Sequence, residues 1–171
     1  MKKLYLLFIA IAVLSSCKKD DNGPSNNVKY DGRTYELSKG YLENYGEWYD
    51  NTYNFDLTLV SSDVTITESS ASGVGNLVYF EMLSPSPTEL AAGTYTFASS
   101  FNTANTFDQG MVGLDFDVAN FTGTILSLVG GTVEVSKSGT TYDITFNGVL
   151  ATGKSVSGKY SGTLIYYDYT K

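Results

Sequence analysis

The residues best equipped for chemistry lie between Tyr41 and Tyr53. Tyr41, Tyr45, Trp48, Tyr49 and Tyr53 are interleaved with Glu43, Asn44, Glu47, Asp50 and Asn51. Aromatic faces stack on the apolar faces of sugar rings, and neighbouring amides and carboxylates accept hydroxyl donors. Tyr and Trp are also favoured at protein interfaces, where they offer large area with few rotors. Tyr41, Tyr45, Trp48 and Tyr49 are therefore the candidate ligand or glycan contacts. In the competing arrangement the odd-numbered members point into the core and their hydroxyls reach its rim. Tyr53 continues the face of Phe55, Leu57 and Leu59, so it belongs to the core.

A second series is Asp115, Asp117 and Asn120. Asp115 and Asp117 share a strand face, opposite Val112, Leu114, Phe116 and Val118. Calcium takes oxygen ligands of this kind, which makes the two aspartates a minor calcium candidate. A calcium loop usually needs more oxygens and a glycine at its turn, so a solvated face fits them as well. Carboxylate pairs for glycosidic chemistry need two acids about 5–9 Å apart across a cleft. Many pairs are conceivable here, and the sequence singles out none.

Composition removes other chemistries. The chain has no histidine and one cysteine. Without imidazole it lacks the commonest general base and transition-metal ligand. Zinc, copper, haem and Cys/His catalysis are disfavoured on that basis, and no cofactor is expected. The formal net charge is −7, and no Lys or Arg occurs between Lys39 and Lys137. Phosphate binding requires a basic surface, so nucleic acid is not an expected partner.

The single cysteine, Cys17, sits at the end of an N-terminal pattern. Lys2 and Lys3 precede an apolar run from Leu4 to Leu14. That run is shorter than the roughly 20 residues a spanning helix needs. A charged start, a short apolar centre and small residues before a cut make a secretory signal. Leu14, Ser15, Ser16 and Cys17 resemble the lipobox of bacterial lipoproteins. The resemblance implies removal of residues 1–16, with Cys17 becoming the first residue and carrying a diacylglyceryl thioether and an N-acyl chain. Two or more chains give stable membrane anchoring. Lys18 and Lys19, followed by Asp20 and Asp21, are similar to the signal that follows the lipid cysteine in surface-exposed lipoproteins of the Bacteroidota. In that likeness Lys19, Asp20 and Asp21 direct the protein to the outer face of the outer membrane. The plainer reading is a solvated charge run in a tether. Residues 17–27 are expected to be that tether, and residues 28–171 one domain.

The domain reads as all-β. Tyr, Val, Thr and Phe are abundant and Gly punctuates at short intervals. Asp31-Gly32 marks a hairpin turn between two short strands. Residues 53–60 alternate apolar and polar, as a half-buried strand does. Leu77 to Leu83 is largely apolar on both faces and predicts a strand covered on both sides, or a barrel strand with an apolar outer covering. Met111 to Val118, Tyr142 to Phe146 and Val156 to Tyr166 alternate again. Gly158 and Gly162 suit a strand that bends or packs closely on its neighbours. Gly-Thr-apolar triplets at Gly93, Gly123, Gly131 and Gly162 read as strand entries.

About eight to eleven strands joined by short turns predict a single antiparallel meander closing into a β-barrel. A two-sheet sandwich is the alternative. The pattern is similar to the small calycin-like (lipocalin-type) barrel lipoproteins of Bacteroidota. That likeness rests on strand rhythm and the Gly-Thr entries and includes no functional motif.

The functional expectation is a lipid-anchored outer-membrane lipoprotein, not an enzyme. It would bind a small apolar ligand, a glycan or an outer-membrane partner protein. A structural subunit with no small ligand is the alternative, and a carboxylate-dependent hydrolase a third.

Overall fold

The computed structural model describes residues 25–171. The expected signal peptide, Cys17, Lys19, Asp20, Asp21 and most of the expected tether lie outside these residues. Two of the tether's residues do not behave as a tether. The Leu37 amide donates to the Asn26 carbonyl, the Asn26 side chain bonds the Ser161 backbone in both directions, and Asn27 begins the first strand.

The described residues form twelve strands and no helix. They are β1 (Asn27–Tyr30), β2 (Arg33–Glu36), β3 (Lys39–Tyr49), β4 (Thr52–Val60), β5 (Thr65–Thr67), β6 (Ser70–Ser72), β7 (Val74–Ser84), β8 (Gly93–Phe97), β9 (Thr106–Asp117), β10 (Thr122–Ser138), β11 (Thr141–Leu150) and β12 (Ser155–Asp168). Asp31 and Gly32 both take positive φ in the β1–β2 turn, as that dipeptide predicts. The run of prolines after β7 ends it at Ser84, since proline cannot donate to a ladder.

The main sheet rings round. Antiparallel pairs run β3–β4, β4–β7, β7–β9, β9–β10, β10–β11 and β11–β12, and β12 then pairs β3 in parallel. An odd number of strands in strict alternation leaves the last pointing the same way as the first. The parallel closure therefore corrects the expectation of a purely antiparallel meander. β8 inserts beside β9 and β10, and the β1–β2 hairpin extends from β12.

One face of this sheet points inward and is packed. Leu42, Phe55, Leu57, Phe80, Met82, Phe107, Val133, Ile144, Phe146 and Val156 belong to one buried cluster. The rings of Phe80 on β7 and Phe146 on β11 lie 5.5 Å apart, although these strands do not pair. Aromatic side chains thus bridge the interior from side to side. Gly158 admits this packing, because a Cβ there would sit 2.3 Å from the Phe146 ring.

The opposite face carries a second buried cluster. Tyr41, Val60, Val64, Leu77, Phe116 and Val118 pack there, with Ile66 and Ala71 of the small β5–β6 hairpin against them. This explains the two-faced apolar strand. Val78, Phe80 and Met82 point inward, while Leu77 and Tyr79 face the outer cluster.

Met111 to Val118 departs from simple alternation. Val112 and Leu114 are interior, but Phe116 and Val118 join the outer cluster. Asp115 takes φ 48°, and the ladder slips there against both β7 and β10. A bulge inserts an extra residue and reverses the facing of the residues beyond it. Two of the Gly-Thr triplets, at Gly93 and Gly123, do open strands; Gly131 and Gly162 lie inside β10 and β12.

Candidate functional site

The outer face of β3, β4, β7 and β9 brings acids together that the sequence leaves scattered. Glu43 stands opposite Asp56, Asp56 opposite Glu81, and Glu81 opposite Gln109. Tyr167 of β12 stands opposite Glu43 and ends the row. Side chains directly opposite on one face are about 4.5–5.5 Å apart at Cβ, and like charges so placed repel.

Hydrogen bonds organise the row. The Tyr79 hydroxyl donates to Asp56 Oδ2 at 2.9 Å. Asn54 Nδ2 donates to Glu81 Oε1 at 3.1 Å, and Gln109 Nε2 donates to Glu81 Oε2. Asn54 Oδ1, Asp56 Oδ1 and Asp108 Oδ1 are buried and accept no hydrogen bond. Asn54 itself is only 6% exposed. Buried acceptors without donors are uncommon and destabilising.

The ionisation of the row is set by this burial. Burial pushes the Asp56 carboxyl up to about 7; the Tyr79 hydrogen bond opposes the shift, and Glu81 and Glu43 add to it. Burial also raises Glu43 and Glu81, against the hydrogen bonds from Tyr169 and Asn54 respectively. Asp108 is raised by burial as well. Tyr45 is pushed up to about 12 by burial and by the Glu43 and Asp56 charges. Tyr79 rises further, from burial and from Asp56.

The row two residues along the strands is different in character. Tyr41, Thr58, Tyr79 and Met111 are successive cross-strand neighbours. Thr58, Tyr79 and Met111 line an open apolar groove of about 270 Å³, completed by Ile66, Ala71, Leu77, Phe116, Val118 and Phe121. Phe121 is 71% exposed at φ 54° and meets Phe116 edge-on at 5.6 Å. Tyr79 joins the two features. Its ring walls the groove and its hydroxyl holds Asp56.

The aromatic cluster divides. Tyr41 is 2% exposed, stacked on Tyr167 at 6.3 Å, and its hydroxyl accepts from the Ile66 amide. It is packed beneath the β5–β6 hairpin and cannot contact a glycan, which corrects the expectation for that residue. Tyr53 packs against the interior cluster. Tyr45, Trp48 and Tyr49 are exposed. Tyr45 stacks on Tyr169 at 5.2 Å. Trp48 donates Nε1–H to the Phe101 carbonyl and tilts against the Phe101 ring, so its orientation is fixed.

The calcium candidate finds no support in this geometry. Asp117 Oδ1 accepts the Ala119 and Asn120 amides and Oδ2 accepts Asn120 Nδ2, so its oxygens cap a turn. Asp115 lies at the bulge, with φ 48°, where the ladder slips against both neighbours, so the two aspartates do not follow simple alternation along one strand face. Among the described residues, no group of three or more His, Cys, Asp or Glu is placed to hold a metal ion.

The sequence carries one signal for the acid row. Glu81 is the single charge in the two-faced apolar strand Leu77–Leu83. Asp56 reads as an ordinary member of a polar strand face, because alternation does not reveal what lies opposite. No family model, curated protein or solved structure matches the chain.

Proposed function

We propose that the ringed sheet is a closed β-barrel of the calycin-like kind, carried on a lipid at Cys17 and held at the outer membrane, facing outward. Its role is non-catalytic binding through the outside of the barrel. One observation carries this reading. The interior is filled by Phe55, Phe80, Phe107 and Phe146, with Phe80 and Phe146 meeting across it, while the outer face keeps an open apolar groove beside an acid row. Ligand pockets combine an apolar lining with a few polar groups at one side, and this groove has that pattern. Acid–base catalysis fits less well. Asp56 has one oxygen held by Tyr79 and the other buried, so neither is presented to a substrate.

The test is to fill the groove. Ala71→Trp places an indole where the groove now lies. Calorimetric titration with 1-hexanol should show saturable binding to the native chain and none to this variant. Unchanged binding in Ala71→Trp would place the site elsewhere.

A second reading is favoured by the fixed and exposed Trp48, with Tyr49 beside the turn at Asp50 and Asn51. Such a tip suits glycan contact. A glycan array on which Trp48→Ala retains every signal would remove this reading.

A further inference from the structure

Resting on the outer-face reading, we propose that the groove takes a small organic ammonium compound, its apolar arm against Tyr79, Met111 and Phe116 and its cationic head at Glu81. The placement rests on two adjacent rows of one sheet face. Tyr79 and Met111 stand in the groove row, and Glu81 and Gln109 stand two residues away in the acid row. Two residues of strand separate the rows by roughly 7 Å. A short arm lying in the groove therefore delivers its head group to Glu81.

Charge selects the head group. Glu81 lies between Asp56 on β4 and Gln109 on β9, with Asp108 at the adjoining bulge. The chain between Lys39 and Lys137 supplies no Lys or Arg to any of them. Lys39 points elsewhere, donating Nζ–H to the Val64 carbonyl at 2.6 Å. Asn54 adds an independent sign. It is 6% exposed, its Nδ2 is committed to Glu81, and its Oδ1 accepts nothing. The amide thus adds a buried acceptor to a face already rich in them. A carboxylate ligand would meet repulsion, and a neutral alcohol would gain only the groove.

Size selects the arm. A groove of about 270 Å³ is below the roughly 300–1,000 Å³ that holds a drug-sized molecule. The Tyr79 ring that walls the groove favours a cation over a neutral head.

Calorimetric titration at about pH 8 with hexylamine, 1-hexanol and hexanoate tests the proposal, since an alkylamine is fully charged there. Hexylamine should bind about tenfold tighter than hexanol, and hexanoate weaker than hexanol, as a charge-assisted contact predicts. Glu81→Gln should bring hexylamine to the level of hexanol and leave hexanol unchanged, which also reports that the variant is folded. Hexanol and hexylamine binding equally, or an advantage that survives Glu81→Gln, would overturn the ammonium assignment and leave the groove intact. No binding by any of the three would overturn the groove reading as well.

Discussion

Asp56 titrates near neutrality because its surroundings favour the uncharged form. The unfolded chain releases this proton near 3.8 and the folded chain near 7. Between those values the folded state holds more protons than the unfolded state. Stability contributed by the protonated form is therefore full in acid and declines as pH climbs toward 7. Asp56→Asn removes the titration. Its Oδ1 can still accept from Tyr79, and its Nδ2 supplies a donor where Asp56 Oδ1 meets none. In chemical denaturation the variant should exceed the native chain by about 2 kcal/mol or more at about pH 8, with the difference shrinking below pH 7 and closing only toward about pH 4, where the unfolded chain also holds the proton. A variant less stable than the native chain at the higher pH would show that burial does not hold the Asp56 proton. The types of these residues are legible in the sequence; their meeting is not. Glu43, Asp56 and Glu81 come from three strands, and only the register sets them opposite one another. Tyr41 shows the converse. Its aromatic character suggests contact with ligand, but the β5–β6 hairpin covers it.

At the scale of the element, alternation identifies β11 well, because it keeps one face to the interior throughout. β4 keeps its apolar face inside but also buries the polar Asn54 and Thr58, and β12 keeps step only as far as Leu164, since Tyr166 is exposed. Alternation fails where the backbone breaks step. Asp115 reverses the facing of Phe116 and Val118, and no residue type in that run announces a bulge. The longest strand, β10, reads in sequence as a short strand opened by Gly131. It runs instead through that glycine, pairing β9 before it and β8 after it. Gly131 takes φ 131°, and a Cβ there would meet the Asn147 carbonyl oxygen at 2.1 Å. Both the backbone angle and the contact exclude a side chain. Gly131→Ala should destabilise by about 3 kcal/mol or more, read as a lowered denaturation midpoint at unchanged slope. A midpoint within error of the native chain would show that β10 does not need this bend.

At the scale of the molecule, all-β character and the ring of strands are legible in strand rhythm and short turns. The parallel closure is not. It depends on how many strands make the circuit, and β5, β6 and β8 leave that count open until their partners are known. The two faces of the sheet then divide the work. The inner face is filled by side chains that meet across the interior, and the outer face keeps a groove, an acid row and exposed aromatics. The proposed binding through the outside of the ring has a direct readout in amide chemical-shift mapping during titration with 1-hexanol. The shifts should concentrate at Ile66, Ala71, Tyr79, Met111 and Phe121. Shifts concentrated instead at Phe55, Phe80, Phe107 and Phe146 would place the ligand in the interior and contradict binding at the outer face.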